Sequence, residues 1–291
     1  MRKMKLKKRR RSPLTLKEIV SGVLIRIPLW FYVITIIIPF VFMAMNSLKT
    51  NQEFYANFWG WPAEPQWGNY TFGLQRSGIL DMFVNTIFVV AGAEIVNIFT
   101  ASMLAYVIAR GKLKRPQLLF GYLLVGLLTP GIICLIPVFF VALILQMYDT
   151  RSVLILVYAA FNMAFSVFVM VAFFKSLPTE LEEAAVIDGA GYSQTFWRVM
   201  FPLTKPGIIT IGVFGFLEYW NDYLLAMTLI STEAKKTVFL GVMKMQAANA
   251  VRTDWGPLMA VCIFAMAPVM IVYAIFQGRL TEGLTSGAVK G

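Results

Sequence analysis

Residues 179–207 read TELEEAAVIDGAGYSQTFWRVMFPLTKPG and form a polar stretch between two long apolar segments. A connection that only joined two membrane helices could be a turn of a few residues. This stretch is far longer and contains the start and stop signals of helices. Two interpretations are compatible with it: an amphipathic helical hairpin on a membrane surface, or a folded element that another protein contacts.

The rest of the chain is unusually apolar. It has 291 residues, of which 58% are hydrophobic, and its mean hydropathy is +0.70. A soluble domain has about 45–50% apolar residues, whereas a membrane helix needs about 20 consecutive, predominantly apolar residues. The sequence therefore predicts an all-α, polytopic membrane protein. Its six spans are expected at about 27–45, 83–107, 118–145, 153–174, 207–230 and 257–277, the third kinked at Pro130-Gly131 and Pro137.

Lys and Arg predict the orientation of these helices. The net charge is +11, and eight basic residues lie within the first eleven positions. A basic N-terminal run without aromatic residues is typical of a segment held in the cytoplasm beside lipid, and not of nucleic-acid binding. In that orientation 19 of the 26 basic residues lie on the cytoplasmic side. We therefore expect a cytoplasmic segment 1–26, a membrane domain 27–277 with a cytoplasmic loop 175–206, and a cytoplasmic tail 278–291.

The loop is predicted to contain two short helices. Thr179 and Glu182 have the spacing of a capping box, so the first helix is expected to begin at Glu180. Gly189 and Gly191 would end it, and a second helix capped by Ser193 would follow. The residues expected on apolar faces are Leu181, Ala184, Ala185, Phe196, Trp197 and Met200.

This loop resembles the EAA loop of ABC importer permeases, in particular the carbohydrate, maltose-type branch. The resemblance rests on Glu183-Ala184-Ala185, Gly189, Val199-Met200-Phe201-Pro202, Trp220-Asn221-Asp222 and the ending 283–291. It covers most of the chain and is densest from Lys175 onward. Val199 and Phe201 stand where the family usually has Ile and Leu, and both keep the apolar character.

The resemblance implies that the loop lies in a groove of a separate cytoplasmic ATPase. The coupling residues would be Glu182, Glu183, Ala184, Ala185, Asp188, Gly189 and Pro202. A similar C-terminal tail reaches between the two ATPase subunits in maltose-type permeases, which implies contacts for Gly287, Lys290 and Gly291. The sequence has no Gly-x-x-x-x-Gly-Lys-[Ser/Thr] motif, so we expect ATP to bind to the partner and this chain to need no cofactor.

The same resemblance implies a complex in the cell membrane. Its other members would be a second homologous permease, two ATPase subunits and an extracellular solute-binding protein, and its cargo a sugar or oligosaccharide. The chain has no histidine and no clustered catalytic carboxylates near a membrane face, so neither an enzyme nor a metal site is predicted. Two alternatives stay open: a permease for an amino acid or peptide, and a secondary transporter, although no paired broken segments in matching halves favour the latter.

Polar residues in the fifth predicted helix mark a candidate translocation pathway. Glu218, Asn221 and Asp222 lie three and four residues apart, on one helical face, and Tyr219 and Trp220 are interleaved with them. Ionisable groups at membrane depth normally face a bundle interior or a wet cavity. Hydrogen bonding between helices is the alternative role. Glu94, Asn97 and Thr100 form a similar, weaker face on the second helix.

Overall fold

In a computed structural model of the protein, residues 16–111, 113–249 and 254–288 are described, and side chains are described within 26–278 except at 76, 77, 112 and 248–253. Every regular element in these ranges is helical. The helices are α1 (Leu16–Asn46), α2 (Asn51–Ala56), α3 (Gly68–Ser77), α4 (Ile79–Arg110), α5 (Pro116–Leu128), α6 (Leu135–Ile144), α7 (Arg151–Ser176), α8 (Glu180–Ile187), α9 (Tyr192–Leu203), α10 (Lys205–Asn221), α11 (Leu224–Leu229), α12 (Val238–Asn249) and α13 (Trp255–Ala288).

Membrane spans are recognised among these helices by length and hydropathy. Four described segments are long and apolar enough to cross a bilayer: Arg26–Asn46, Ile79–Arg110, Arg151–Ser176 and Trp255–Gly278. Two bent pairs each add one span if the pair is counted together, namely α5 with Gly131–Ile144, bent by 92°, and α9 with α10, bent by 73°. The described residues therefore contain four to six candidate spans, and the predicted all-α membrane fold is confirmed.

α4 and α7 form the centre of the bundle and run in the same direction. Near their first turns Arg151 donates to the Asn85 side chain at 2.9 Å, and near their last turns Arg110 donates to the Phe174 carbonyl at 2.9 Å. α5, α10 and α12 pack around this pair. One apolar cluster, which includes Trp220, fills the half near the first turns, and a second cluster fills the half near the last turns.

The kink predicted in the third span is present at the first of its two expected places. α5 ends before Thr129 and Pro130, a short 3-10 turn follows, and α6 continues at a 92° bend. Proline has no backbone N–H and its ring clashes with the preceding turn, so the helix cannot continue through Pro130. Pro137 lies in the first turn of α6, where proline is tolerated, and causes no second break.

The prediction of one unbroken helix over 207–230 is wrong. α10 ends at Asn221, and Asp222 is extended, with ψ of 133°. The Asp222 carboxylate accepts hydrogen bonds from the backbone N–H groups of Leu225 at 3.3 Å and Ala226 at 2.9 Å. A side chain that caps a following helix in this way favours a new start over continuation.

Both terminal helices are longer than expected. α1 begins at Leu16, well before the predicted start at 27, and α13 extends to Ala288. The predicted small-residue tail therefore has a helical backbone as far as Ala288, which includes Gly287. Lys290 and Gly291 lie outside the described residues.

Candidate coupling surface and translocation pathway

α8 begins at Glu180, as predicted, but its cap differs from the prediction. The Thr179 side chain makes no capping hydrogen bond, and its backbone carbonyl accepts from the N–H groups of Glu182 at 3.0 Å and Glu183 at 3.2 Å. Thr179 already has helical dihedral angles, with φ of −68° and ψ of −27°. Because a capping side chain needs an extended backbone, the predicted capping box does not form.

Glu182 faces the membrane helices. Its carboxylate lies 3.7 Å from the guanidinium of Arg110, at the end of α4, and both side chains are largely buried. Arg110 also donates hydrogen bonds to the carbonyl oxygens of Phe174 and Leu177, at the end of α7. One guanidinium therefore connects the last turns of α4 and α7 with α8.

The opposite face of α8 is free. Glu183, Ala184, Asp188 and Gly189 are exposed, whereas Ala185 is only 7% exposed and packs against the chain itself. The exposed surface also contains two apolar side chains that the sequence analysis missed: Val186 is 65% and Ile187 is 85% exposed. Ile187 follows Glu183 by four residues, so helical periodicity alone could have placed it on the Glu183 face.

The turn between α8 and α9 depends on a glycine. Gly189 has φ of +81°, in the left-handed region that glycine adopts without steric cost. The Ala190 N–H donates to the Ala185 carbonyl at 2.9 Å, which closes the end of α8. The N-cap of α9 is Gly191, whose N–H donates to the Gln194 side chain at 3.2 Å, and not Ser193 as predicted.

Aromatic packing joins α9 to the membrane bundle. Phe196 and Met200 are buried, and the Phe196 ring lies 5.1 Å from Tyr106 of α4 and 6.2 Å from Phe174 of α7. Burial, with a smaller contribution from the Glu182 carboxylate, raises the pKa of Tyr192 at the start of α9. Pro202 is exposed near the bend that leads into α10. The loop is therefore packed onto the bundle as a folded unit.

A cavity of about 560 Å³ opens between α5 and α7. Aromatic residues Tyr122, Phe161 and Phe165 line it, together with the polar side chains of Asn162 and Glu218. Its volume is within the range of about 300–1,000 Å³ that is typical of small-molecule sites.

Glu218 stands at the end of a chain of buried polar contacts. Asn162 donates to its carboxylate at 2.7 Å, and the Ser166 hydroxyl lies 2.9 Å from the Asn162 carbonyl oxygen and 2.6 Å from that of Asn97. The Asn97 amide in turn donates to the Ala159 carbonyl at 2.9 Å. These contacts connect α4, α7 and α10 through the bundle interior and lead to the cavity wall.

The other predicted pathway residues differ in their surroundings. Trp220 is 2% exposed and donates to the Ala265 carbonyl at 3.0 Å, which is the helix-to-helix role considered as the alternative. Asn221 is exposed and donates to the Leu217 carbonyl in its own helix. Asp222 accepts from the Tyr158 hydroxyl at 2.7 Å and caps α11. Tyr219 is buried beside a second cavity of about 80 Å³, whose wall includes Glu218 and Asp222.

A helical membrane bundle with a partly polar interior cavity and a folded loop at one end has the architecture of a transport permease. Residues 97–286 match the family described as binding-protein-dependent transport system inner membrane component. The match covers more than half of the chain. The protein therefore belongs to this family and is a permease component located in the inner membrane.

Individual relatives are similar over most of their length. The diacetylchitobiose uptake system permease protein NgcG of Streptomyces coelicolor is 32% identical over 257 residues, 88% of this chain and 85% of that protein. The trehalose transport system permease protein SugB of Mycobacterium tuberculosis is 32% identical over 79% of this chain and 84% of that protein. A crystal structure of a bacterial ABC transporter involved in alginate import shares the fold, with a TM-score of 0.81, 22% identity and coverage of 92% and 99%.

Proposed function

We propose that this chain forms the translocation pathway for a sugar or oligosaccharide in an ATP-driven importer of the cell membrane. The observation that carries the proposal is the 560 Å³ cavity, where Phe161 and Tyr122 lie beside Asn162 and Glu218. A sugar has apolar C–H faces that pack on aromatic rings and hydroxyl groups that donate to carboxylates and amides. Two of the relatives, a diacetylchitobiose permease and a trehalose permease, support the same class of solute.

ATP binds to separate subunits in this proposal, and the permease itself uses no cofactor. The docking surface is the exposed face of α8, with Glu183, Ala184, Asp188 and Gly189 and the apolar pair Val186 and Ile187. Motion of a bound ATPase passes to α4 and α7 through Arg110 and to the bundle core through α9. Glu182, Ala185 and Pro202 act from within this unit, and Gly287, Lys290 and Gly291 extend the contact at the C-terminus.

The remaining partners follow from the same proposal. A second homologous permease completes the pathway, two ATPase subunits drive it, and an extracellular solute-binding protein delivers the sugar. A permease for an amino acid or peptide would need the same partners, and the sugar permeases among the relatives favour a sugar over it. A secondary transporter would need none of the ATPase subunits.

Reconstitution tests this proposal directly. The chain is purified with its co-expressed partners, placed in vesicles and supplied with ATP, binding protein and radiolabelled sugar. We expect uphill uptake only with the complete complex and hydrolysable ATP. Uphill uptake by vesicles that contain only this chain would contradict the proposal, as would an ATPase-containing complex that accumulates peptides but no sugar.

A further inference from the structure

Glu94 lies in the middle of α4 and has no assigned role. Both of its carboxylate oxygens are buried, and neither has a hydrogen-bond partner among the described residues. Leaving a buried polar group unpaired costs about 1–3 kcal/mol, and more if it is charged. An unpaired carboxylate at membrane depth is therefore best explained by something that binds it.

Two glycines of α10 make room for this carboxylate. A side chain on Gly215 would collide with Oε1 of Glu94, and one on Gly212 would begin 3.8 Å from Oε2. The Tyr219 ring lies 3.3 Å from the same Gly215 position. The Glu94 carboxylate and the Tyr219 ring thus both lie against the surface of α10 at Gly215.

Tyr219 provides a second, independent sign of a missing ligand. The side chain is 3% exposed, and its hydroxyl has no hydrogen-bond partner among the described residues. It lines the 80 Å³ cavity together with Glu218, and the carboxyl groups of Glu94 and Glu218 are close enough to interact electrostatically. The Tyr219 hydroxyl, which can accept a hydrogen bond, is therefore unpartnered at a cavity wall that it shares with the Glu218 carboxylate.

Among the described residues, no Lys or Arg forms an ion pair with Glu94 or Glu218. No Lys or Arg occurs in residues 77–109, 116–150, 152–174 or 206–234, which include most of the surrounding helices. Glu218 accepts its hydrogen bond from the neutral Asn162 side chain. Asp222, by contrast, accepts hydrogen bonds from the Tyr158 hydroxyl and from two backbone N–H groups. Within the described part of the chain, no group of three His, Cys, Asp or Glu residues could hold a metal ion.

We propose that Glu94, Glu218 and Tyr219 form a subsite for a positively charged group of the transported solute, namely the ammonium group of an amino sugar. The inference rests on the proposed function and adds the class of sugar. Glu218 contacts the ammonium group from the large cavity, and the bound cation favours the ionised form of Glu94 behind it, because Coulomb energies are large away from water. A neutral sugar can donate hydroxyl hydrogen bonds to Glu218 but gains no attraction between opposite charges from this pair, and an acidic sugar is repelled by it.

The test measures binding of three probes of equal size to the assembled permease–ATPase complex. Glucosamine, glucose and glucuronate are titrated calorimetrically at constant ionic strength, once with sodium and once with choline as the counter-cation. The variants are Glu94→Gln, Glu218→Gln and Tyr219→Phe, which keep the shape of each side chain. Asp81→Asn, an exposed charge removal in the first turn of the same helix, is the matched control.

We expect glucosamine to bind at least about tenfold more tightly than glucose, and each Gln variant to lose about tenfold or more of that affinity. Asp81→Asn should retain it. Competition with glucosamine by sodium but not by choline would further support a subsite for a small cation. Equal binding of the three probes, or an unchanged preference in both Gln variants, would overturn the subsite.

Assembly of every variant is checked by size-exclusion chromatography, so that misfolding is not mistaken for loss of the subsite. Failure of the subsite is also distinguishable from failure of the proposed function. ATP-driven uptake of sugars without any preference for an amino group would refute only the subsite. A complex that transports no sugar at all would refute the proposed function.

Discussion

The guanidinium of Arg110 lies 3.7 Å from the carboxylate of Glu182 and joins a membrane helix to the first helix of the polar loop. The same guanidinium donates to two carbonyls at the end of α7. This guanidinium thereby attaches α8 to the last turns of both α4 and α7, beside the packing of Leu181 against the apolar cluster there. Displacement of α8 would move both central helices.

Arg110→Ala should weaken this junction. It leaves the Phe174 and Leu177 carbonyls and the Glu182 carboxylate without their shared donor, at a cost of about 1–3 kcal/mol. We expect a lower unfolding temperature of the complex and a larger loss of sugar-stimulated than of basal ATP hydrolysis. Arg110→Lys should recover only part of the lost stability and stimulation, because an ammonium group lacks the planar guanidinium that donates to several acceptors at once. Lys114→Ala, exposed on the same side, is the control, and equal behaviour of the two Ala variants would contradict the role of Arg110.

Gly189→Ala should disturb the turn after α8 through its backbone alone. Gly189 has φ of +81°, and an added Cβ would meet nothing within 4 Å, so the cost of about 1 kcal/mol comes from the left-handed conformation. Gly191 has an equally open Cβ position but φ of −71°, and Gly191→Ala is therefore a matched control. Differential scanning fluorimetry of the two variants measures the difference. Identical unfolding temperatures would show that the turn tolerates other conformations.

Ile187→Asp should separate the permease from its ATPase. Ile187 is 85% exposed on the outer face of α8, so a charge there should change the stability of the isolated chain little. In an interface that excludes water, the same charge would weaken binding strongly. We expect the amount of ATPase that co-purifies to fall at least about tenfold, with the permease still inserted in the membrane. Leu113→Asp, at another exposed apolar position on the same side, should retain the ATPase. Normal co-purification of Ile187→Asp would remove α8 from the docking surface.

Asp149 should stabilise the connection between the α6–α7 turn and the segment after α11 in a pH-dependent way. Hydrogen bonds from the hydroxyl and then the backbone N–H of Thr232 hold the pKa of Asp149 well below its ordinary value. A carboxyl whose pKa is lower in the folded state stabilises that state above the unfolded pKa, about 3.9, and the contribution is lost as the pH falls below it.

Asp149→Asn isolates this charge, because asparagine also tolerates the observed φ of 56° and keeps an acceptor oxygen. We expect the amide protection factors of Ser231 and Thr232 to be lower in the variant at pH 7, and the difference from the native chain to shrink below about pH 4. Hydrogen exchange with mass spectrometry measures this. A difference that is independent of pH would show that the charge is not involved.

Hydropathy and helix signals in the sequence correctly predicted the helical membrane fold and the start of α8 at Glu180. The same signals could not locate the break at Asp222, because a polar residue in an apolar run is equally compatible with a pathway residue and with a helix cap. Glu182 entered the coupling set through the family resemblance, and no local signal showed that its carboxylate would face the bundle. Only the position of Arg110, 72 residues earlier in the chain, turns that carboxylate toward the bundle.

Local patterns in the sequence indicate the membrane fold and the position of the folded polar loop: apolar runs long enough to span a bilayer, and a polar stretch with its own start and stop residues. The sequence by itself determined these features because each depends on neighbouring residues. The pairing of Glu94 with the glycine face of α10, and of Arg110 with Glu182, was decided by the tertiary structure. A helix that is apolar on all sides does not specify its rotation about its own axis, and only packing against other helices selects which side chains meet.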